Sequence, residues 1–452
     1  MTGIPLIIAF VVAVILMIVA ISKWKVHPFL SIMGVSLLLA LVAGIPLGDV
    51  PGVIGAGFSG TFSSIGIVII LGALIGSILE QTGAALKLAD MVVKLVGKKN
   101  PELALELMGW VVSIPVFCDS GFVILDPIRK ALVKRTGSSS VAATVALSAG
   151  LYISHVFIPP TPGPIAAAST LGIGDNLLLV IGLGVLCSIF PLIAGLIYAK
   201  FIGKKVKSAD EVASSDAVVK TYEELVAGYG KLPNGFNALA PIIVPVILMA
   251  LGTIGKQVGI TGFALDLLTF LGTPIISLAV GTIFAIVQLA LAKKMGEFYK
   301  ITNDTLKTVG PILFVTAAGG VLGKVISSTT MVSYITENAG FLMNLGIFFP
   351  FLLAAILKTA QGSSTVAITT TAGIMAPMMA SLGLGTPVMG ALTVMAIGAG
   401  AMTVSHANDS YFWVVTNFGE MTPDQGYKTQ TILTLVMGVA SIIGIFLVSL
   451  FF

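Results

Sequence analysis

Stretches of apolar residues long enough to cross a bilayer recur from one end of the chain to the other. Spanning the hydrocarbon takes about 20 consecutive apolar residues in a helix. Such runs fall at 4–22, 28–45, 62–79, 141–171 and 177–201, and again at 238–254, 265–292, 309–326, 387–418 and 431–452. Two further apolar stretches are broken near their middles, 103–132 at Cys118-Asp119-Ser120-Gly121 and 341–379 at 358–365. Both are predicted to be re-entrant hairpins, pairs of half-helices meeting near mid-membrane. Non-helical backbone at that depth is tolerated only inside protein or beside a water-filled cavity. The first run lacks the basic start and small-residue cleavage site of a signal peptide, so it reads as a membrane helix.

One long polar stretch, 203–237, interrupts this pattern, and is predicted to be a cytoplasmic linker between two halves, 1–202 and 238–452. The halves echo each other. Gly72-Ala-Leu-Ile-Gly76 precedes the first broken stretch as Gly319-Gly-Val-Leu-Gly323 precedes the second, and Ser154-His155 matches Ser405-His406. Five crossings and one hairpin per half make an odd number of crossings, so the second half is predicted to be inverted. With the N-terminus outside the cytoplasm, only Lys256, Lys324 and Lys358 of the 24 lysines and arginines fall outside or at mid-depth. The others cluster on the cytoplasmic side, as the positive-inside rule requires. The expected fold is all-α and polytopic, with two inverted-topology repeats whose hairpins enter from opposite faces.

Composition agrees with this reading. The chain is 56% hydrophobic and 10% charged, with a mean hydropathy of +1.07; a soluble domain carries about a quarter charged residues. The net charge of +4 resides in short loops between apolar runs, which points to membrane orientation and away from nucleic acid. Cys118 and Cys187 lie in apolar segments with neither disulfide-framework nor metal-ligand spacing. No phosphate-binding loop followed by Lys-Ser/Thr is present, and no Cys/His metal pattern. The chain is therefore expected to use an ion gradient, with no cofactor and no metal.

Four interruptions are predicted to converge near the midplane: the two hairpin tips, Ser154-His155-Val-Phe-Ile-Pro-Pro-Thr161-Pro-Gly163-Pro, and Ser405-His406-Ala-Asn408-Asp409-Ser410. Consecutive prolines cannot remain in regular helix. Broken helices leave free amides at half-helix N-termini, which suit an anionic group. Candidate substrate contacts are Asp119, Ser120, Gly121, His155, Thr161, Gly163, Gln361, Gly362, Ser363, Ser364, Thr365, His406, Asn408 and Asp409. This mixture of amides and hydroxyls suits a carboxylate on a polyhydroxyl chain. Asp119, His406 and Asp409 are candidates for proton coupling, because ionisable groups inside a membrane are costly and mark function. His406 with Asp409 reads as a pair. Lys358 either attracts the substrate carboxylate or pairs with an aspartate. Asp126 and Arg129, three apart, read as a local ion pair. His27, at a helix entry, reads as uninvolved. Ser and His occur twice side by side, and adjacent residues point to different faces of a helix, which is poor geometry for a nucleophile and its base; an enzyme is not expected.

Phe117-Cys-Asp-Ser-Gly121, Ser154-His-Val-Phe-Ile-Pro-Pro-Thr-Pro-Gly-Pro164, Gln361-Gly-Ser-Ser-Thr365 and Ser405-His-Ala-Asn-Asp-Ser410 resemble the motifs of the bacterial gluconate permease family. The resemblance covers essentially the whole chain. It implies proton symport of gluconate or a relative at the inner membrane, with D-serine and fructuronate as alternative substrates. It also implies membership of the ion transporter superfamily, a homodimer, and an elevator mechanism in which a domain carrying both hairpins slides against a scaffold. A cation/proton antiporter on the same scaffold is the competing reading; the hydroxyl-rich tips favour an organic anion.

Overall fold

A computed structural model of the chain describes residues 3–96, 100–212, 232–257, 260–331, 334 and 345–452, together with most of their side chains. Most of the predicted linker and the start of the second predicted hairpin lie outside these residues, as do the side chains of Lys256 and Gln361. The described residues are helical, with no strand. Among them, seven helical segments are long and apolar enough to cross a bilayer, and the protein is a multi-pass membrane protein.

Before residue 203 the chain forms α1 (Ile4–Ser22), α2 (Pro28–Ala43), α3 (Val50–Gln81), α4 (Ala84–Val96), α5 (Pro101–Val112), α6 (Cys118–Thr136), α7 (Ser140–Phe157), α8 (Pro162–Thr170) and α9 (Leu177–Ile202). From residue 235 on follow α10 (Gly235–Gln257), α11 (Phe263–Gly272), α12 (Pro274–Leu291), α13 (Phe298–Ser327), α14 (Phe348–Gln361), α15 (Ser364–Met375), α16 (Pro387–Met402), α17 (Ser410–Phe418) and α18 (Ile432–Ser449). Proline sits in the first turn of several of these helices, where its missing N–H costs no internal bond.

The structure corrects four boundaries. The run predicted at 265–292 is two helices, because Thr273 before Pro274 is extended, as a residue before proline prefers. α3 and α13 begin at Val50 and Phe298, well before the apolar runs at 62 and 309, because polar and glycine-rich turns carry the helices beyond the apolar stretch. The break in the apolar stretch 103–132 lies at 113–117, around Pro115, whereas Cys118–Gly121 form the first turn of α6. An aspartate in a first helical turn complements the helix dipole, so Asp119 starts this helix instead of breaking it.

α7 is buried along its whole length, and α16 from Gly390 to Met402; the core is built around these two. Two long helix pairs, α3 with α13 and α9 with α18, pack antiparallel. In α3 and α13, Gly57 abuts Val321, while Ser77 Oγ accepts from Thr305 Oγ1 at 2.9 Å. In α9 and α18, Gly195 meets Met437 and Gly444 meets Phe190. The repeated glycine motifs have a packing reason. A Cβ at Gly72 would lie 2.8 Å from Pro160 O, and one at Gly76 would collide with Pro115 O between α5 and α6. Gly319 and Gly323 meet Thr369 and Gly373 of α15 in the same way. The predicted Asp126–Arg129 pair is present at 2.6 Å. Fully buried, Arg129 also donates to Ser140 Oγ at 2.6 Å and to Phe418 O at 3.3 Å, tying α6 to α7 and α17.

Candidate functional site

Three helix N-termini open onto one cavity of about 400 Å³: Phe117–Asp119 at the start of α6, Gly362–Val366 before and at the start of α15, and Asn408–Tyr411 at the start of α17. The first amides of a helix have no internal partner, and together with the helix dipole they favour a negative charge. α6 begins without a side-chain cap, which leaves its amides for water or a ligand. At α15, Ser363 Oγ accepts from Val366 N–H at 3.3 Å. Gly362 has φ +90°, and a Cβ there would run into the backbone of Asn408, so the second tip needs glycine to turn where it does. Tyr152 and His155 of α7 form another wall, and His27, Pro311 and Val315 close the side facing α2 and α13.

Asp409 is the polar hub. It is 5% exposed. Lys358 Nζ, fully buried, donates to its Oδ2 at 2.6 Å and also to Gly362 O. Ser405 Oγ donates to the same Oδ2 at 2.5 Å and Tyr152 OH at 3.4 Å. The Tyr411 N–H donates to Oδ1 at 3.1 Å, so the carboxylate also caps α17. These contacts join the second tip, the broken helix and α7. Asp119 is held differently: Ser410 Oγ donates to its Oδ1 at 3.2 Å, and the carboxylate lines the cavity with no cation partner among the described residues.

The structure brings together on this cavity Asp119, His155, Gly362, Ser363, Ser364, Thr365, Asn408 and Asp409. Lys358 sits behind the wall as the partner of Asp409. The other expected contacts lie elsewhere. Ser120 is half-buried beside the cavity lining, and Gly121 packs beneath Leu151. Thr161 is buried with its hydroxyl donating to Ile158 O at 2.7 Å, and Gly163 packs on Ile368. His406 does not pair with Asp409: its Nε2 meets Thr359 O at 3.0 Å, the same carbonyl that accepts from Asn408 Nδ2 at 2.9 Å. Of Gln361, the side chain lies outside the described residues. Tyr152, Ser410, Tyr411 and His27 line the cavity without being marked as contacts by the sequence. The tyrosines look like packing residues in apolar runs. One signal does exist: Thr144, Ser148, Tyr152 and His155 fall at steps of four and three residues, one polar stripe on a helix.

The family model described as GntP family permease matches residues 4–451. An uncharacterized permease of Haemophilus influenzae is 34% identical, over 92% of this chain and 86% of its own. The low-affinity gluconate transporter of Escherichia coli is 30% identical, over 98% of each chain. The crystal structure of the Alcanivorax borkumensis YdaH transporter superposes with a TM-score of 0.65, covering 94% of this chain and 97% of that one, at 16% identity.

Proposed function

This chain belongs to the GntP family of permeases, transport proteins rather than enzymes, and from that premise we propose that it takes up gluconate or a closely related hydroxy acid together with protons. One observation carries the anionic substrate: three helix N-termini face the same cavity. Charge-assisted hydrogen bonds from such amides are about twice as strong as neutral ones. Hydroxyls at Ser363, Ser364, Thr365 and Ser410 offer partners for a polyhydroxyl chain. The proton follows from charge. A substrate carboxylate sharing this cavity with ionised Asp119 is repelled, and a proton on Asp119 removes the repulsion. Anion and proton binding then reinforce each other, as linkage requires.

The test is uptake of labelled gluconate into proteoliposomes with and without an inside-alkaline pH gradient, in competition with unlabelled gluconate or with sorbitol, its uncharged relative. Gluconate is expected to compete and sorbitol to fail at any practical concentration. Equal competition would replace the anion site with a neutral polyol site.

The antiparallel packing of α3 on α13 and of α9 on α18 supports two inverted repeats, with α5/α6 and α14/α15 as re-entrant hairpins. On this reading the hairpins and the broken pairs α7/α8 and α16/α17 move as an elevator against a scaffold that includes α3 and α13. The charge asymmetry of the loops supports an extracytoplasmic N-terminus. In a protein lacking Cys118 and Cys187, the exposed sites Asp49→Cys and Asp175→Cys are expected to react with an impermeant maleimide in intact spheroplasts. The exposed Lys204→Cys is expected to remain unlabelled; the opposite pattern would reverse the orientation.

A further inference from the structure

α7 carries hydroxyl or imidazole groups at Ser140, Thr144, Ser148, Tyr152 and His155, and each of these residues is at most 5% exposed. Steps of four and three residues keep them on one side of the helix. At 1.5 Å per residue the file is about 22 Å long. At one end Tyr152 and His155 face the cavity. At the other, Ser140 Oγ accepts from Arg129, close to the surface pair of Lys130 and Glu420 at 2.7 Å. Between them, Tyr411 OH donates to Ser148 O at 3.1 Å and Ser148 Oγ donates to Gln430 Oε1 at 2.7 Å.

Three buried atoms along this file have no protein partner: His155 Nδ1, Thr144 Oγ1 and Gln430 Nε2. A helical serine or threonine can satisfy its hydroxyl on the carbonyl four residues back, as Thr82, Ser188 and Thr305 do here. Thr144 lacks even that bond. Buried polar atoms left unpaired are uncommon in native folds, and ordered water is their usual partner. Water bridging these atoms to the neighbouring hydroxyls would make a chain whose members each accept a proton on one side and release one on the other.

We propose that the Ser140–His155 face of α7 is the path by which protons pass between the substrate cavity and the basic face of the membrane, apart from the opening through which substrate enters. The inference rests on the proton-coupled reading above. The charged or titratable groups along the path are Asp409, with its partner Lys358, Asp119, Cys118 and Tyr411 at the cavity end, and Arg129 with Asp126, together with Glu211, which accepts from Ser139 Oγ at 2.8 Å and from the Val141 N–H at 3.0 Å, at the far end. Glu106 of α5 lies off the neighbouring face, where Gly195 of α9 packs against both its carboxyl and Ala149. At the exit Arg129, paired with Asp126, donates to Ser140 Oγ at 2.6 Å and so fixes the orientation of the last hydroxyl of the file.

Thr144→Val and Ser148→Ala preserve volume closely, and neither residue lines the cavity. The experiment compares three readouts in proteoliposomes carrying the wild type, each variant or the double variant. These are counterflow of labelled gluconate at equal pH, which needs no net proton movement, accumulation driven by a pH gradient, and gluconate-dependent proton entry reported by a trapped dye. The expected result for the double variant is counterflow close to wild type, with accumulation and proton entry reduced about tenfold, the scale of losing one buried hydrogen-bonding partner. Ser148→Thr, which keeps the hydroxyl, is expected to retain all three. Undiminished accumulation and proton entry in the double variant would overturn the path, and so would counterflow that falls in step with them. A wild-type protein indifferent to the pH gradient would overturn the coupling reading and the path with it.

Discussion

Replacing Lys358 by methionine is expected to abolish gradient-driven uptake and to destabilise the folded protein. Lys358 is fully buried and its charge is met by Asp409 at 2.6 Å. Removing one member of a buried ion pair typically costs about 3–5 kcal/mol, because the other charge is left without compensation. Asp409 would keep three weaker donors, Ser405, Tyr152 and the Tyr411 amide. The loss should show as a lower midpoint of thermal unfolding in detergent. The informative comparison is the double variant Lys358→Met with Asp409→Asn, which removes both charges together. Its stability is expected to recover most of the loss, since two neutral groups leave nothing uncompensated, while transport stays absent. If transport returned along with stability, the pair would be a packing device and would have no part in handling the substrate or the proton.

That pair also marks the limit of what the amino-acid order discloses. Fifty-one positions separate Lys358 from Asp409, and no local spacing ties them; they meet because the turn between α14 and α15 lies against the break between α16 and α17. Features dictated by local chemistry are legible. The Pro-Pro-Thr-Pro-Gly-Pro string must interrupt a helix, and the chain indeed leaves helix after Phe157 and re-enters it at Pro162. The polar Ser405–Ser410 string likewise separates α16 from α17. The break in the apolar stretch 103–132 is legible too, but its position is not: polarity points to Cys118–Gly121, whereas Pro115 and its neighbours make the turn. Polarity within an apolar run marks either a break or the capped start of the next helix, and the sequence does not distinguish the two. Cavity walls made of ordinary packing residues, such as Tyr152 and Tyr411, are the hardest to see, because an aromatic in an apolar run has the same appearance whether it faces a neighbour or a substrate.

Asp119→Asn is expected to uncouple substrate from protons. The carboxylate lines the cavity onto which the three helix N-termini open, yet its described partners are a serine hydroxyl at 3.2 Å and the Cys118 thiol at 3.7 Å, with no cation to offset it. Asp409, by contrast, is held neutralised by Lys358, which makes Asp119 the carboxylate whose protonation changes the charge the substrate meets. Asparagine keeps the shape and an oxygen to accept from Ser410, and it removes the titration. Accumulation against a gluconate gradient should therefore be lost, while counterflow at equal pH persists. The dependence of uptake on the imposed pH gradient should flatten. In the wild type, uptake is expected to rise as the outer solution is acidified relative to the interior, because the proton that allows the anion to bind is then supplied from that side and released on the other. Wild-type accumulation with unchanged pH dependence in Asp119→Asn would remove Asp119 from the coupling role. Equal loss of counterflow and accumulation would assign it to substrate binding alone.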